Sequence, residues 1–248
     1  MYAIEKWWAK QYKKRDVLRP HNAQHASFWN TAWVVVLDVV LGCVVGAILV
    51  VHSRAKSKFY ESLTPVMDAI KEFAPEEIVC YGIGSLHSTV PQWQLALALI
   101  FNDTLHVPIH SFDPVTTADD IAMLCHFGVS PIAENEEGRR RATKRTLFYM
   151  PHCEQFLYEN TVSENWSYEH IGQTMIIGNH FSRYQDTQSE QQFTQSSPRI
   201  KSVLPHLTVI DMPAESSLGL RHCPYAFSDM CIQYIIPPDA ANIEFSAA

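Results

Sequence analysis

Apolar residues recur along this chain in two patterns, and the change from one to the other marks its organisation. From 32 to 51 the sequence reads AWVVVLDVVLGCVVGAILVV, with Asp38 as the one formal charge. A helix rises about 1.5 Å per residue, so roughly 20 such residues cross a bilayer core. The run predicts a transmembrane helix at 32–51, with a buried core helix or strand pair as the alternative for so valine-rich a stretch. It lies well inside the chain and lacks a small-residue cleavage site, which argues against a cleaved signal peptide.

From 57 onward the runs shorten. Phe59, Leu63, Val66, Met67 and Ile70 have helical spacing and predict a helix over 57–73. Apolar runs of strand length follow at 78–81, 107–112, 129–132, 146–150, 175–177 and 208–210. Helical patterns separate them at 93–101, 118–127, 153–162 and around 197–204. Continuous apolar strands alternating with helices predict an α/β fold: a three-layer, Rossmann-like, mostly parallel sheet preceded by the transmembrane helix. The boundaries that follow are an N-terminal segment 1–56, an α/β domain 57–237 and a tail 238–248. The polar, Gln- and Ser-rich stretch 183–199 predicts a mobile loop or a frayed helix entry.

Charge and cysteine usage narrow the function classes. Lys plus Arg is 19 against 26 for Asp plus Glu, a net charge of -7, so direct nucleic-acid binding is not expected. The 6 cysteines form no CxxC pair and no regular spacing, which predicts neither a disulfide framework nor a metal site. Basic residues flank the apolar run on both sides, at Lys13, Lys14, Arg15 and Arg19 and again at Arg54, Lys56 and Lys58, so charge alone leaves its orientation open. Reduced thiols place the α/β domain on the cytosolic side of the membrane as an expectation. Gly42 and Gly46 are spaced for close approach of a partner helix.

Candidate chemistry gathers where predicted strands end. Gly82 and Gly84, followed by Ser85, lie between a strand and a helix. There they either bring backbone amides to a ligand or merely permit a tight turn. Asp113 ends the second strand, where dinucleotide-binding folds place an acid on ribose hydroxyls; an ordinary Asp-Pro turn is the alternative. His152 and Cys153 follow the Met150-Pro151 strand end as a nucleophile and base, a metal pair, or simply a cap and a packed thiol. Asn179 and His180 end the next strand on the same edge. His222 and Cys223, before Pro224, supply a weak haem-contact pattern. Arg139, Arg140, Arg141, Lys144 and Arg145 predict a solvated helix with ion pairs, or else an anion site.

Ordered blocks carry a family resemblance: VCYGIGSLHSTVPQWQLALAL (79–99), FDPV (112–115), NEEGRR (135–140), TLFYMPHCEQFLYENTVSENWS (146–167), MIIGNHFSRY (175–184) and FSD (227–229). The chain resembles the SRR-type (sensitivity to red light reduced) family. The resemblance implies a regulator, linked in relatives to circadian and light-responsive control and to haem biosynthesis, and cytoplasmic or nuclear in location. No settled catalytic activity comes with it. Residues 25–46 also resemble a membrane segment of the accessory subunit of phosphatidylinositol N-acetylglucosaminyltransferase, through Trp29, Asn30, Trp33, Asp38 and Gly42.

The expectation is a membrane-anchored regulatory protein that binds a ligand or a protein partner at the sheet edge. The alternatives are a nucleotide- or S-adenosylmethionine-dependent transferase and a GPI-anchor accessory subunit. The GxSxG, GxxxxGK[ST] and HExxH motifs are all missing from the sequence.

Overall fold

The computed structural model describes residues 58–213, 225–236, 241 and 243–245. The chain opens with α1 (Lys58–Phe73), whose Leu63, Val66, Met67 and Ile70 are buried along one stripe. Ala74 in the left-handed region and Pro75 end it. There follow β1 (Glu77–Tyr81), α2 (Thr89–Leu105), β2 (Ile109–Phe112), α3 (Ala118–His126) and β3 (Val129–Pro131). After a connection at 132–145 come β4 (Thr146–Met150), α4 (Gln155–Glu164), the short α5 (Tyr168–Ile171) and β5 (Thr174–Asn179). The remaining elements are α6 (Phe181–Thr187), α7 (Glu190–Ser196), α8 (Pro198–Val203), β6 (Thr208–Asp211) and β7 (Met230–Tyr234).

The strands form a 7-stranded sheet in the order β3-β2-β1-β4-β5-β7-β6. β1 to β5 pair in parallel, whereas β7 runs antiparallel to both β5 and β6. The chain moves outward one way through β1, β2 and β3, then returns and moves the other way through β4 and β5. The order therefore reverses between β1 and β4, where doubly wound sheets open a crevice at their carboxyl ends.

Burial on both faces explains the continuous apolar strands: every residue of β1 and β4 is buried. Val79, Tyr81, Phe148 and Met150 belong to a core with Tyr158 and Val162 of α4 and Ile200 and Val203 of α8. On the opposite face Phe101 of α2 meets Tyr149 edge to face, centroids 6.0 Å apart.

Several expectations are corrected. Stretch 183–199 holds most of α6, all of α7 and the start of α8, with Ser189 and Gln192 forming a capping box. β7 was not expected at all. Its Gln233 is a buried polar residue inside a strand, satisfied by accepting the Phe181 amide at 3.0 Å and donating to the Asn179 carbonyl at 2.9 Å. Within the expected tail, Ile243 is buried and Phe245 packs edge-on to Trp166 at 5.3 Å.

The basic cluster forms no helix. The 132–145 connection contains Gly138 at φ 76, where a Cβ would stand 2.6 Å from the Leu157 carbonyl oxygen. It is held by buried polar side chains of and beyond α4. Asn160 donates to the Glu137 carbonyl at 2.9 Å and Thr161 to that of Gly138 at 3.0 Å. Asn165 donates to the Arg140 carbonyl at 3.0 Å and accepts the Ala142 amide at 2.7 Å. These bonds account for the unusual polarity of α4, since its buried polar groups need partners.

Among the described residues no helix is long and apolar enough to cross a membrane. The span expected at 32–51 lies outside them and has no structural support.

Candidate functional site

The site forms where β1 and β2 deliver their carboxyl ends to the switch point. Gly82 and Gly84 take φ 73 and 85, which side-chain-bearing residues rarely adopt. Asp113 draws the two strand ends together: its carboxylate accepts the Gly84 amide at 2.8 Å and the Val115 amide at 2.9 Å.

Asp120, at the start of α3, is a second anchor for the same loop. It accepts the Leu86 amide at 2.8 Å and the Ser85 hydroxyl at 3.3 Å, and closes a capping box with Thr117. Burial works to raise this carboxyl, but the hydrogen bonds from Thr117, Leu86 and Ser85 prevail and hold it below the ordinary carboxylate range. Sequence reasoning overlooked Asp120, although the T-x-x-D spacing before an apolar run was its signal.

From the other side of the switch point comes the end of β4. Cys153 is buried against Gly82, and its thiol donates to the Tyr81 carbonyl at 3.3 Å. Burial, with help from Asp113 and Glu154, pushes that thiol up to about 12. It is protonated at neutral pH, unlike an activated nucleophile. His152 is exposed at φ 54 and turned away, its Nε2 at 3.0 Å from the Tyr225 carbonyl. Adjacent in sequence, His152 and Cys153 thus serve different neighbours.

Asn179, ending β5, donates to the Cys153 carbonyl and to the Tyr184 hydroxyl, each at 3.2 Å. Its Oδ1 is buried with no partner. His180 instead reaches Asp211 of β6 at 3.0 Å. Gly82, Gly84, Asp113, Cys153 and Asn179 therefore form one linked set, with Ser85 tied in through Asp120, while His152 and His180 lie on separate contacts. Haem candidates His222 and Cys223 lie outside the described residues. Among the described residues, no group of three or more His, Cys, Asp or Glu side chains is placed to hold a metal ion.

The family profile of the SRR1 domain matches residues 59–234. The chain belongs to the SRR1 domain family. Over 114 residues, 44% of this chain and 42% of the relative, it is 39% identical to Protein SENSITIVITY TO RED LIGHT REDUCED 1 of Arabidopsis thaliana. Against an SRR1-like protein of Mus musculus it is 39% identical over 108 residues, 42% of this chain and 43% of the relative. An SRR1-like protein of Drosophila melanogaster is 29% identical over 124 residues, 49% and 44% of the two lengths. The chain thus spans less than half the length of these curated relatives. The domain match does not reach 25–46, so the resemblance to the transferase subunit gains no support from it.

The SRR1 domain also carries a polar network on the sheet face beneath the 132–145 connection. The Tyr81 hydroxyl donates to Glu136, which Arg140 grips through Nε at 2.9 Å and Nη2 at 2.7 Å. Burial works to raise the Glu136 carboxyl, but these bonds hold it low. Alongside, Lys144 meets Glu77 at 3.1 Å and Thr146 donates to Glu77 at 3.0 Å. Arg141 pairs with Glu164 at 2.9 Å and Arg145 with Glu76 at 3.7 Å. These separate pairings with glutamates leave little basis for a shared anion site.

Proposed function

We propose that this SRR1 domain is a regulatory binding module that takes a small ligand at the switch point between β1 and β4. The carrying observation is the Gly84 to Asp113 link at 2.8 Å, which fixes the β1 loop and the β2 end as one polar edge. Ligands of doubly wound sheets collect at that place, a fold-level warrant that the local geometry sharpens. Binding without turnover is favoured over covalent catalysis because the Cys153 thiol is buried, protonated and already donating. The regulatory sense follows from the plant relative's name, which concerns sensitivity to red light. A protein partner that reads the liganded state belongs to the same proposal.

A transferase using a nucleotide- or S-adenosylmethionine-like cofactor is the second reading. It is favoured by the His180 to Asp211 pair on the same edge, since a carboxylate-oriented imidazole can take a proton from an acceptor.

Thermal shift of the full chain against adenosine, S-adenosylmethionine, adenine and nicotinamide nucleotides and haem tests the binding reading. A ligand at about a hundred times its Kd stabilises by roughly 2.7 kcal/mol. The expected result is a shift with one of these probes that disappears in Asp113→Ala. A shift unchanged in Asp113→Ala would remove the site.

A further inference from the structure

We infer that the switch-point ligand is a ribose-bearing nucleoside compound without phosphates, neutral or cationic, whose sugar hydroxyls are taken by Asp113. The inference rests on the binding reading above and adds the chemical class. A glycine loop recognises phosphate by aiming free backbone N–H groups at it. In this loop the amides of Gly82, Gly84, Leu86, His87 and Ser88 are committed elsewhere. The Gly82 amide donates to the Phe112 carbonyl at 3.2 Å, Gly84 to Asp113 at 2.8 Å and Leu86 to Asp120 at 2.8 Å. Ser88 donates back to the Ser85 carbonyl at 3.1 Å. A phosphate entering here would meet the carboxylates of Asp113 and Asp120 and find these amides already paired.

The start of α2 offers one donor fewer than an ordinary helix N-terminus. Pro91 in its first turn has no N–H, and its Cγ lies 3.1 Å from the position a Gly84 Cβ would occupy. Nor does side-chain charge help. The stretches 82–88, 113–117 and 151–154 contain no Lys or Arg, while Asp113 and Glu154 are acidic. Arg183, beyond β5, is paired with Asp229 at 2.6 Å. Electrostatically this edge repels polyphosphate and accepts a cation such as a sulfonium.

Hydroxyl recognition is what remains available. Each Asp113 oxygen accepts one backbone N–H, and a carboxylate offers about four acceptor positions, so a vicinal diol can be bound without breaking the loop. Val115, exposed two residues later, offers an apolar contact beside it.

Isothermal titration of the full chain with adenosine, S-adenosylmethionine, AMP, ATP, 2′- and 3′-deoxyadenosine, a nicotinamide nucleotide and haem tests this directly. The expected order is adenosine or S-adenosylmethionine tightest, with weaker binding for each added phosphate. Loss of one sugar hydroxyl should weaken binding by about tenfold or more, as for a hydrogen bond to a charged group. The deoxy ligands keep the protein unaltered, so a folding defect in an Asp113 variant cannot mimic the result. ATP binding as tightly as adenosine, or deoxyadenosines binding equally well, overturns the inference while leaving the binding reading standing. Haem as the sole ligand does the same. No binding by any of these probes, haem included, removes both.

Discussion

Gly82 and Cys153 meet so closely at the switch point that a Cβ on the glycine would stand 2.6 Å from the cysteine Sγ. Contact and backbone act together here, because Gly82 also sits at φ 73. Gly82→Ala should lower stability by about 2 to 4 kcal/mol, from steric overlap plus left-handed strain. Adding Cys153→Ala should return part of that loss, since only the steric portion is relieved. Strict additivity of the two substitutions in urea denaturation would contradict the contact.

Asp120 should behave as a loop anchor as well as a cap. Asp120→Ala removes acceptors for Leu86, Ser85 and Thr117 and should cost about 3 kcal/mol, beyond the roughly 1 kcal/mol of a simple cap. Hydrogen exchange should show faster opening at the Leu86 amide than at strand β4. A loss no larger than that of an ordinary cap, with the Leu86 amide still protected, would refute the anchoring role.

The same carboxyl gives an acid dependence. Asp120 and Glu136 are both held below their ordinary values in the folded chain. The unfolded state therefore takes up protons first, so their contribution is complete above the ordinary carboxylate range and is lost as pH falls through the depressed values. Urea midpoints should stay level near neutrality and drop on acidification below about pH 4. The drop should be smaller in Asp120→Asn.

Asn165 is expected to be among the more sensitive polar positions. It serves the Ala142 amide and the Arg140 and Thr161 carbonyls while itself fully buried. Asn165→Ala should cost about 2 to 4 kcal/mol and expose the 132–145 connection to proteolysis. Wild-type resistance to nicking in that variant would show that the connection is held by something else.

Thiol reactivity separates the cysteines. Cys125 is exposed, whereas Cys80, Cys153 and Cys231 are buried with thiols pushed up by burial. Peptide mapping after brief iodoacetamide treatment at pH 7.5 should find Cys125 modified and these three protected. Rapid labelling of Cys153 would restore it as a nucleophile.

What could be read in the sequence was what burial on two faces writes plainly. The 146–150 strand coincides with β4, and 78–81 lies within β1, because both are continuous apolar runs. Gly82, Gly84 and Asp113 could be marked from their places at strand ends. Less legible were residues whose identity answers a distant partner. Gln233 breaks an apolar run in order to serve Phe181 and Asn179, so β7 went unread. The charges at 134–145 resemble a solvated helix until Gly138 and its approach to Leu157 rule one out. His152 and Cys153 look like a chemical pair in a linear string, but a φ of 54 at His152 sends them to different neighbours.

The 132–145 connection bears on how the domain opens locally. Asn160 and Thr161 belong to α4 and Asn165 caps its end, so their bonds to 137–142 exist only once α4 has docked. The connection precedes those partners along the chain yet gains its bonds only with them, so its ordering is tied to the docking of α4. Protection of the Ala142 amide is therefore bounded by the docking equilibrium of α4, and the two should open as one cooperative unit.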